Sequence, residues 1–123
     1  MHTIPRRRLA HMRKWIPVLL LFFLMTLLPA MAQQEYTIDP QTGTLKSYTG
    51  PGGDIVIPSQ VDGVAVKALG PALFDQNKAI TSAVLPEGLV TIEYNAFYFC
   101  ENLKSVALPS TLEVVDSYAF FSC

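Results

Sequence analysis

From residue 33 onwards the sequence has no arginine, histidine or tryptophan, and it has only two cysteines. Without histidine, neither a Ser-His-Asp nor a Cys-His catalytic site can be assembled. Four lysines stand against ten carboxylates in this part, which gives a net charge of −6. Because nucleic acids and anionic membranes are bound by clustered Lys and Arg, the composition argues against both. It predicts protein partners, with sugars as a second class.

The lack of other motifs narrows the function further. No phosphate-binding loop, dinucleotide fingerprint or N-glycosylation acceptor is present, so no cofactor is predicted. Two cysteines are too few for a disulfide-dense scaffold, and with no histidine they do not predict a metal site. The 91 residues after position 32 predict one small domain.

The N-terminal region has the layout of a secretory signal peptide. Five of the nine basic residues lie before residue 15, an apolar run follows over 15–28, and the small residues Ala30-Met31-Ala32 end it. This order predicts a signal peptide over 1–32, cleaved after Ala32, and a secreted, periplasmic or cell-surface location. An uncleaved membrane anchor is the alternative, although residues 16–32 fall short of the roughly 20 that a span needs. Met12 is an alternative start.

The rest of the chain is repetitive. LPEGLVTIEYNAFYFC at 85–100 recurs as LPSTLEVVDSYAFFSC at 108–123, an offset of 23 residues that also links Phe74 to Phe97. In such repeats each unit buries its apolar side only by stacking on the next one. We therefore expect Phe74, Phe97 and Phe120 to form one column in the interior, with the variable positions facing water. The extra residues around Val61-Asp62-Gly63 predict a surface turn.

Each repeat predicts a strand, a proline stop and a short helix. Val106 and Leu108 alternate with Ser105 and Ala107, and Pro109 follows, which is typical of a strand that ends there. Residues 54–57 and 82–85 have the same pattern. The apolar residues of TIEYNAFYFCENL are spaced by four, one, three and three, which predicts one or two helical turns.

The pattern LPxxLxxIxxxAFxxCxxLxxVxLP at 85–109 resembles the repeat of the BspA-like leucine-rich proteins of bacterial cell surfaces, and the resemblance covers about residues 54–123. It implies an α/β solenoid of about three coils, the last one incomplete, with parallel strands and short helices. Residues 33–53 predict an N-terminal capping β-hairpin around Pro-Gln-Thr-Gly. The last coil has no following unit over Phe120 and Phe121, which predicts self-association there and suggests a fragment of a longer array.

Two pairs of residues, each 23 positions apart, are candidates for a chemical role. Cys100 and Cys123 occupy equivalent positions on adjacent coils, and parallel stacking favours two buried free thiols over a disulfide. Glu93 and Asp116 have the same offset, and glycosidases use two carboxylates about 5–10 Å apart. Two solvated acids on neighbouring turns are the simpler interpretation. No catalytic residue is therefore assigned.

The outward positions of the strands are the candidate protein-binding face: Thr81, Ser82, Val84, Lys104, Ser105 and Ala107. The tyrosines on the turns are expected to be half-buried packing residues. The resemblance implies a secreted or surface protein that is not an enzyme and acts in protein binding and adhesion. The alternatives are an accessory segment of a larger secreted enzyme, such as a glycoside hydrolase or peptidase, and a truncated product with no role of its own.

Overall fold

The computed structural model describes residues 35–123, and in this part the chain forms ten strands and no helix. The predicted signal peptide lies outside the described residues. Nothing within 35–123 is a helix long and apolar enough to cross a membrane. The strands are β1 Tyr36–Asp39, β2 Thr44–Tyr48, β3 Gly53–Val56, β4 Gln60–Val61, β5 Val64–Ala65, β6 Ala68–Leu69, β7 Ile80–Val84, β8 Thr91–Ile92, β9 Ser105–Ala107 and β10 Val114–Val115.

Two sheets run along the solenoid. The first has the order β1-β2-β6-β8-β10 and is parallel except for the β1–β2 hairpin. Its register places Leu45, Leu69, Ile92 and Val115 opposite one another in a single column. The second sheet is parallel, with the order β3-β7-β9. Equivalent residues 23 positions apart therefore become neighbours on adjacent coils, as the repeat predicts.

The segments predicted as short helices form a third ladder between coils, so that prediction is wrong. Phe97 N donates to Ala119 O at 2.7 Å, and Phe99 N donates to Phe121 O at 2.8 Å. These amides bond to the next coil, so they are not available to the carbonyls four residues back that an α-helix requires. Asn95 and Phe99 have φ of 55° and 52°, outside the right-handed helical region. We call the segments 72–77, 95–100 and 118–123 the turn ladder.

The interior is a stack of like side chains. Phe74 and Phe97 have no more than 1% exposed surface, and their ring centroids lie 4.8 Å apart. Phe120 stacks on the other face of Phe97 at 5.1 Å, with the two rings 9° from parallel. Tyr48 packs edge-on against Phe74 at 5.3 Å and continues the stack into the hairpin. The predicted aromatic column is therefore confirmed.

The hairpin closes one end of the stack. β1 and β2 pair antiparallel around residues 40–43, as the sequence predicts, and β2 then pairs in parallel with β6. Leu45 is fully buried in the column that continues through Leu69. Because β2 thus acts as the first strand of the array, the division between a cap at 33–53 and a solenoid at 54–123 stays a prediction. The inserted residues form the β4–β5 hairpin, with Asp62 and Gly63 both at positive φ in its turn.

The third coil carries interior positions that no described residue covers. Leu89 and Ile92 are fully buried in the second coil, whereas Leu112 is half-buried and Val115 is 49% exposed in the third. Leu108 is also exposed, although Leu85 is buried one coil earlier. Self-association through the third coil stays a prediction.

Candidate protein-binding face

The outward side chains of β3, β7 and β9, together with Lys104, form the surface that we call the strand face. The register pairs Ser82 with Ser105 and Val84 with Ala107 on neighbouring strands. Lys104 precedes β9, and its backbone N–H donates to the carbonyl of Thr81 at 2.9 Å. The structure therefore places Thr81, Ser82 and Val84 on β7, Ser105 and Ala107 on the adjacent β9, and Lys104 directly before β9.

A β-bulge explains why two consecutive residues of β7 point the same way. Gly53 pairs with Ile80 and Asp54 pairs with Ser82, so Thr81 is an extra residue on its strand. The Thr81 hydroxyl donates to Asp54 Oδ1 at 3.0 Å, and the Ser82 hydroxyl donates to the same oxygen at 2.7 Å. Both side chains are therefore fixed on the outward side by one carboxylate.

Asp54 is a polar anchor that the sequence prediction of the face missed. The Ser82 hydroxyl, and after it the Thr81 hydroxyl, stabilises the ionised carboxylate and holds the pKa of Asp54 below its ordinary value. Asp54 is exposed, and it balances the charge of Lys104 at the other edge of the face. The strand face therefore combines one anion and one cation with small hydroxyl and methyl groups, and it has no net charge.

Val56 is the second residue that the prediction missed. It pairs with Val84 in the β3–β7 register and is 70% exposed. With Ala107 on β9, it forms a row of three small apolar side chains across the sheet. The strand pattern of 54–57 could have identified it, but the insertion makes the offset from Val56 to Val84 28 residues instead of 23.

The turn ladder carries a different surface, made of aromatic side chains. Tyr98, Phe99, Tyr118 and Phe121 contact one another, with ring centroids 4.6–6.5 Å apart. Tyr94 and Tyr118 are 51% and 63% exposed, whereas Tyr98 is half-buried. The expectation of half-buried tyrosines thus holds for Tyr98 and is wrong for the other two, because their positions on the turns point away from the core.

Both cysteines are free, as favoured from the sequence, but only Cys100 is buried. Its thiol donates to the Phe74 carbonyl at 3.0 Å, and the Cys123 thiol makes the equivalent bond to Phe97 at 3.1 Å. Burial raises the pKa of Cys100 to about 11, so this thiol is protonated at neutral pH. Cys123 is exposed. The two thiols therefore bond to equivalent carbonyls of adjacent coils.

The two carboxylates considered as a glycosidase pair, Glu93 and Asp116, lie two residues before turn-ladder segments 95–100 and 118–123. Glu93 is half-buried and Asp116 is exposed, and Asp116 accepts a hydrogen bond from the adjacent Ser117 N–H at 2.7 Å. Among residues 35–123, no group of three or more His, Cys, Asp or Glu side chains is arranged to hold a metal ion. The simpler interpretation, two acids on neighbouring turns without a catalytic role, stays a prediction.

The repeat, its register and the apolar columns agree with one protein family. Residues 55–123 match the family model described as a BspA type leucine-rich repeat region (6 copies). The chain belongs to the BspA-type leucine-rich repeat family. The match covers more than half of the sequence and all three coils, so the resemblance predicted from the repeat is confirmed.

Two solved structures of leucine-rich repeat proteins are similar to this BspA-type chain. One is a leucine-rich repeat protein of T. pallidum, with 29% identity and a TM-score of 0.66 over 72% of this chain and 42% of that one. The other is a leucine-rich cell surface protein of Faecalibacterium prausnitzii A2-165, with 31% identity and a TM-score of 0.63 over 72% and 26%. The present chain thus spans less than half the length of either. No curated protein matches it.

Proposed function

We propose that this chain is a secreted or surface-held module without catalytic activity, which binds a protein partner through the strand face and contributes to adhesion. The observation that carries the proposal is the exposed row of Val56, Val84 and Ala107 on three strands in register. Small apolar side chains bordered by hydroxyl groups suit close contact with another protein surface. The likeness to a cell surface protein and the basic and apolar N-terminal sequence support the location.

The charge of the strand face supports a protein partner more than an acidic polymer. Asp54 and Lys104 give the face a net charge near zero, whereas residues 33–123 together carry −6. A neutral patch within an acidic surface lowers the repulsion that another acidic protein would meet there.

The size of the face sets the expected affinity. Three strands about 4.8 Å apart give a contact roughly 10–15 Å wide. A stable interface buries about 800 Å² on each partner, which usually needs 20–30 residues. We therefore expect weak binding by a single chain and stronger binding when several copies are presented together.

The test places a charge in the middle of the face. The full chain carrying Val84→Asp is compared with Val114→Asp, because Val84 and Val114 are 46% and 48% exposed but lie on different sheets. Binding to an array of purified matrix and cell-surface proteins is measured with the chain displayed at high density. We expect Val84→Asp to weaken binding at least tenfold, because an unpaired carboxylate would be buried at the contact. Equal binding by the two variants, or no binding by the parent chain, would contradict the proposal.

A further inference from the structure

The aromatic turn cluster, formed by Tyr98, Phe99, Tyr118 and Phe121, is not used by the core. Tyr98 and Phe121 stack at 5.4 Å, and Tyr118 stands at 84° to both of these rings. None of the four contributes to the aromatic column, which is built from other side chains of the same turns. Tyr118 is 63% exposed and Phe121 is 46% exposed. These rings therefore offer surface to a partner rather than stability to the fold.

The backbone at Tyr118 makes its choice of residue unusual. Its φ is 58°, in the left-handed region that bulky side chains seldom occupy. The equivalent residue one coil earlier is Asn95, at φ 55°, and asparagine is among the residues that tolerate this conformation best. The third coil thus holds a large ring in a strained, exposed place where the second coil has the residue that the backbone favours. The ring packs edge-on against Tyr98 and Phe121 but leaves most of its own surface exposed.

The turns of the three coils and the residues that flank them are acidic, and Asp75 is the one carboxylate within the turn ladder itself. Residues 70–78, 93–101 and 116–123 contain four carboxylates and one lysine, whereas the strand face has one of each. Lys78 Nζ lies 3.5 Å from Glu101 Oε2, so these two charges form an ion pair, and both side chains are more than half exposed. Asp75 occupies the position in the first turn that Tyr98 and Phe121 occupy in the next two turns. A carboxylate therefore lies next in line to the two stacked rings. Negative charge therefore adjoins the aromatic surface along the solenoid.

We propose that the aromatic turn cluster binds an arginine- or lysine-bearing segment of the partner protein. Guanidinium and ammonium groups are attracted to the faces of aromatic rings, and arginine also stacks flat on them. The nearby carboxylates add a longer-range attraction that selects cations over neutral groups. The proposal rests on the function proposed above, and it assigns that partner a basic segment and a second contact surface.

A sugar fits this cluster less well. A sugar ring stacks on a broad and open aromatic face, but the stacked rings of Tyr98 and Phe121 cover each other, and Tyr118 stands across them. A cation needs only part of a ring face and gains from several rings at once. Sugar binding is therefore kept as an outcome that would refute the proposal.

The first experiment removes single rings. Fluorescent peptides with alternating Gly and Arg, Gly and Lys, or Gly and Glu are titrated with the full chain at low salt, beside a panel of neutral oligosaccharides. Tyr118→Asn is the main variant because Asn95 already occupies the equivalent position. We expect the parent chain to bind the Arg peptide best and the Glu peptide not at all. Each lost ring should weaken Arg-peptide binding about two- to fivefold.

The second experiment tests the charges. Asp75→Asn and Asp116→Asn together should weaken the Arg peptide further and flatten the dependence of its affinity on salt. Asp62→Asn is the matched control because Asp62 is an exposed acid in the β4–β5 turn. Val114→Ser serves as the control for the rings, because Val114 is 48% exposed on the other sheet and belongs to neither proposed binding surface. Thermal melts show that each variant is folded.

The outcomes separate this proposal from the proposed function. The proposal of a basic partner segment would be overturned if Tyr118→Asn and Phe121→Ser bound the Arg peptide as well as the parent chain does. It would also be overturned if the control variants reduced that binding equally. Binding of oligosaccharides in place of basic peptides would overturn it as well. If the partner proteins still require Val84 in that case, the strand-face function stands alone.

Discussion

The aromatic column gives the sharpest test of how the repeats hold together. Phe97 has no exposed surface and stacks between Phe74 at 4.8 Å and Phe120 at 5.1 Å. Replacing such a residue with alanine removes the buried ring and leaves a cavity, which typically costs about 3–5 kcal/mol. A domain of this size has a total stability of about 4–13 kcal/mol. We therefore expect Phe97→Ala to remove a large part of it.

The position along the column sets the size of the effect. Phe74→Ala should cost about as much as Phe97→Ala, because Phe74 also has aromatic neighbours on both sides, Tyr48 and Phe97. Phe120 is half-buried, and its one neighbour in the column is Phe97, so Phe120→Ala should cost about 1–2 kcal/mol. In double-mutant cycles, Phe74 and Phe97 should couple by about 0.5–1.5 kcal/mol. Phe74 and Phe120, which do not touch, should couple by less than about 0.5 kcal/mol.

The assay is urea unfolding of the full chain and its variants, followed by far-UV circular dichroism and by tyrosine fluorescence. Coincident transitions and an unchanged dependence on urea would show that the change lies in stability. The stacking account would be refuted if Phe97→Ala cost no more than Phe120→Ala. It would also be refuted if the coupling of Phe74 to Phe120 matched that of Phe74 to Phe97.

Two further predictions follow from the same coils. Burial raises the pKa of Cys100 from its ordinary 9.0 to about 11, so this thiol alone should contribute a fall in stability of about 2 kcal/mol as pH rises from about 9 to 11. Urea midpoints should fall with pH in this way for the parent chain and for Cys123→Ala, and should fall less for Cys100→Ala. An equal fall in Cys100→Ala would show that another group causes the loss of stability. We also propose that the open third coil self-associates. Sedimentation should then show a dimer at high concentration that Val115→Lys removes, and a parent chain monomeric throughout would contradict it.

The interior could be predicted from the sequence because the repeat constrains it directly. A column of stacked residues must stay apolar in every coil, so Phe74, Phe97 and Phe120 are visible at a constant offset. The hairpin could be predicted as well, since its turn chemistry is local. The column depends on which side chains are alike between coils, and a single sequence with repeats records that likeness.

The course of the backbone between the strands could not be predicted in the same way. The spacing of Ile92, Ala96, Phe97 and Cys100 suits the inner side of a helix and also suits successive turns. The difference lies in the backbone N–H of Phe97, which bonds to the next coil at Ala119. Apolar spacing does not show where an amide proton points, so the helical interpretation was wrong although the inward residues were correct.

The strand face was predicted in part. Ser82 and Ser105, and likewise Val84 and Ala107, follow from period two and the 23-residue offset. The offset does not identify the outward residues of the first strand, because the β4–β5 insertion lengthens it from 23 to 28 residues. Tyr118 lies on a turn at φ 58°, which the apolar spacing does not indicate, so the aromatic turn cluster is visible only in the structure.

The central claim is that the turns of adjacent coils are joined by hydrogen bonds, because that ladder holds the aromatic turn cluster on one side and the column on the other. Scalar couplings across hydrogen bonds in the ¹⁵N,¹³C-labelled full chain measure this directly by NMR. The account predicts a coupling from Phe97 N to the carbonyl carbon of Ala119, whose oxygen lies 2.7 Å from that nitrogen. A coupling from Phe97 N to the carbonyl carbon of Glu93 would indicate a helix and contradict it.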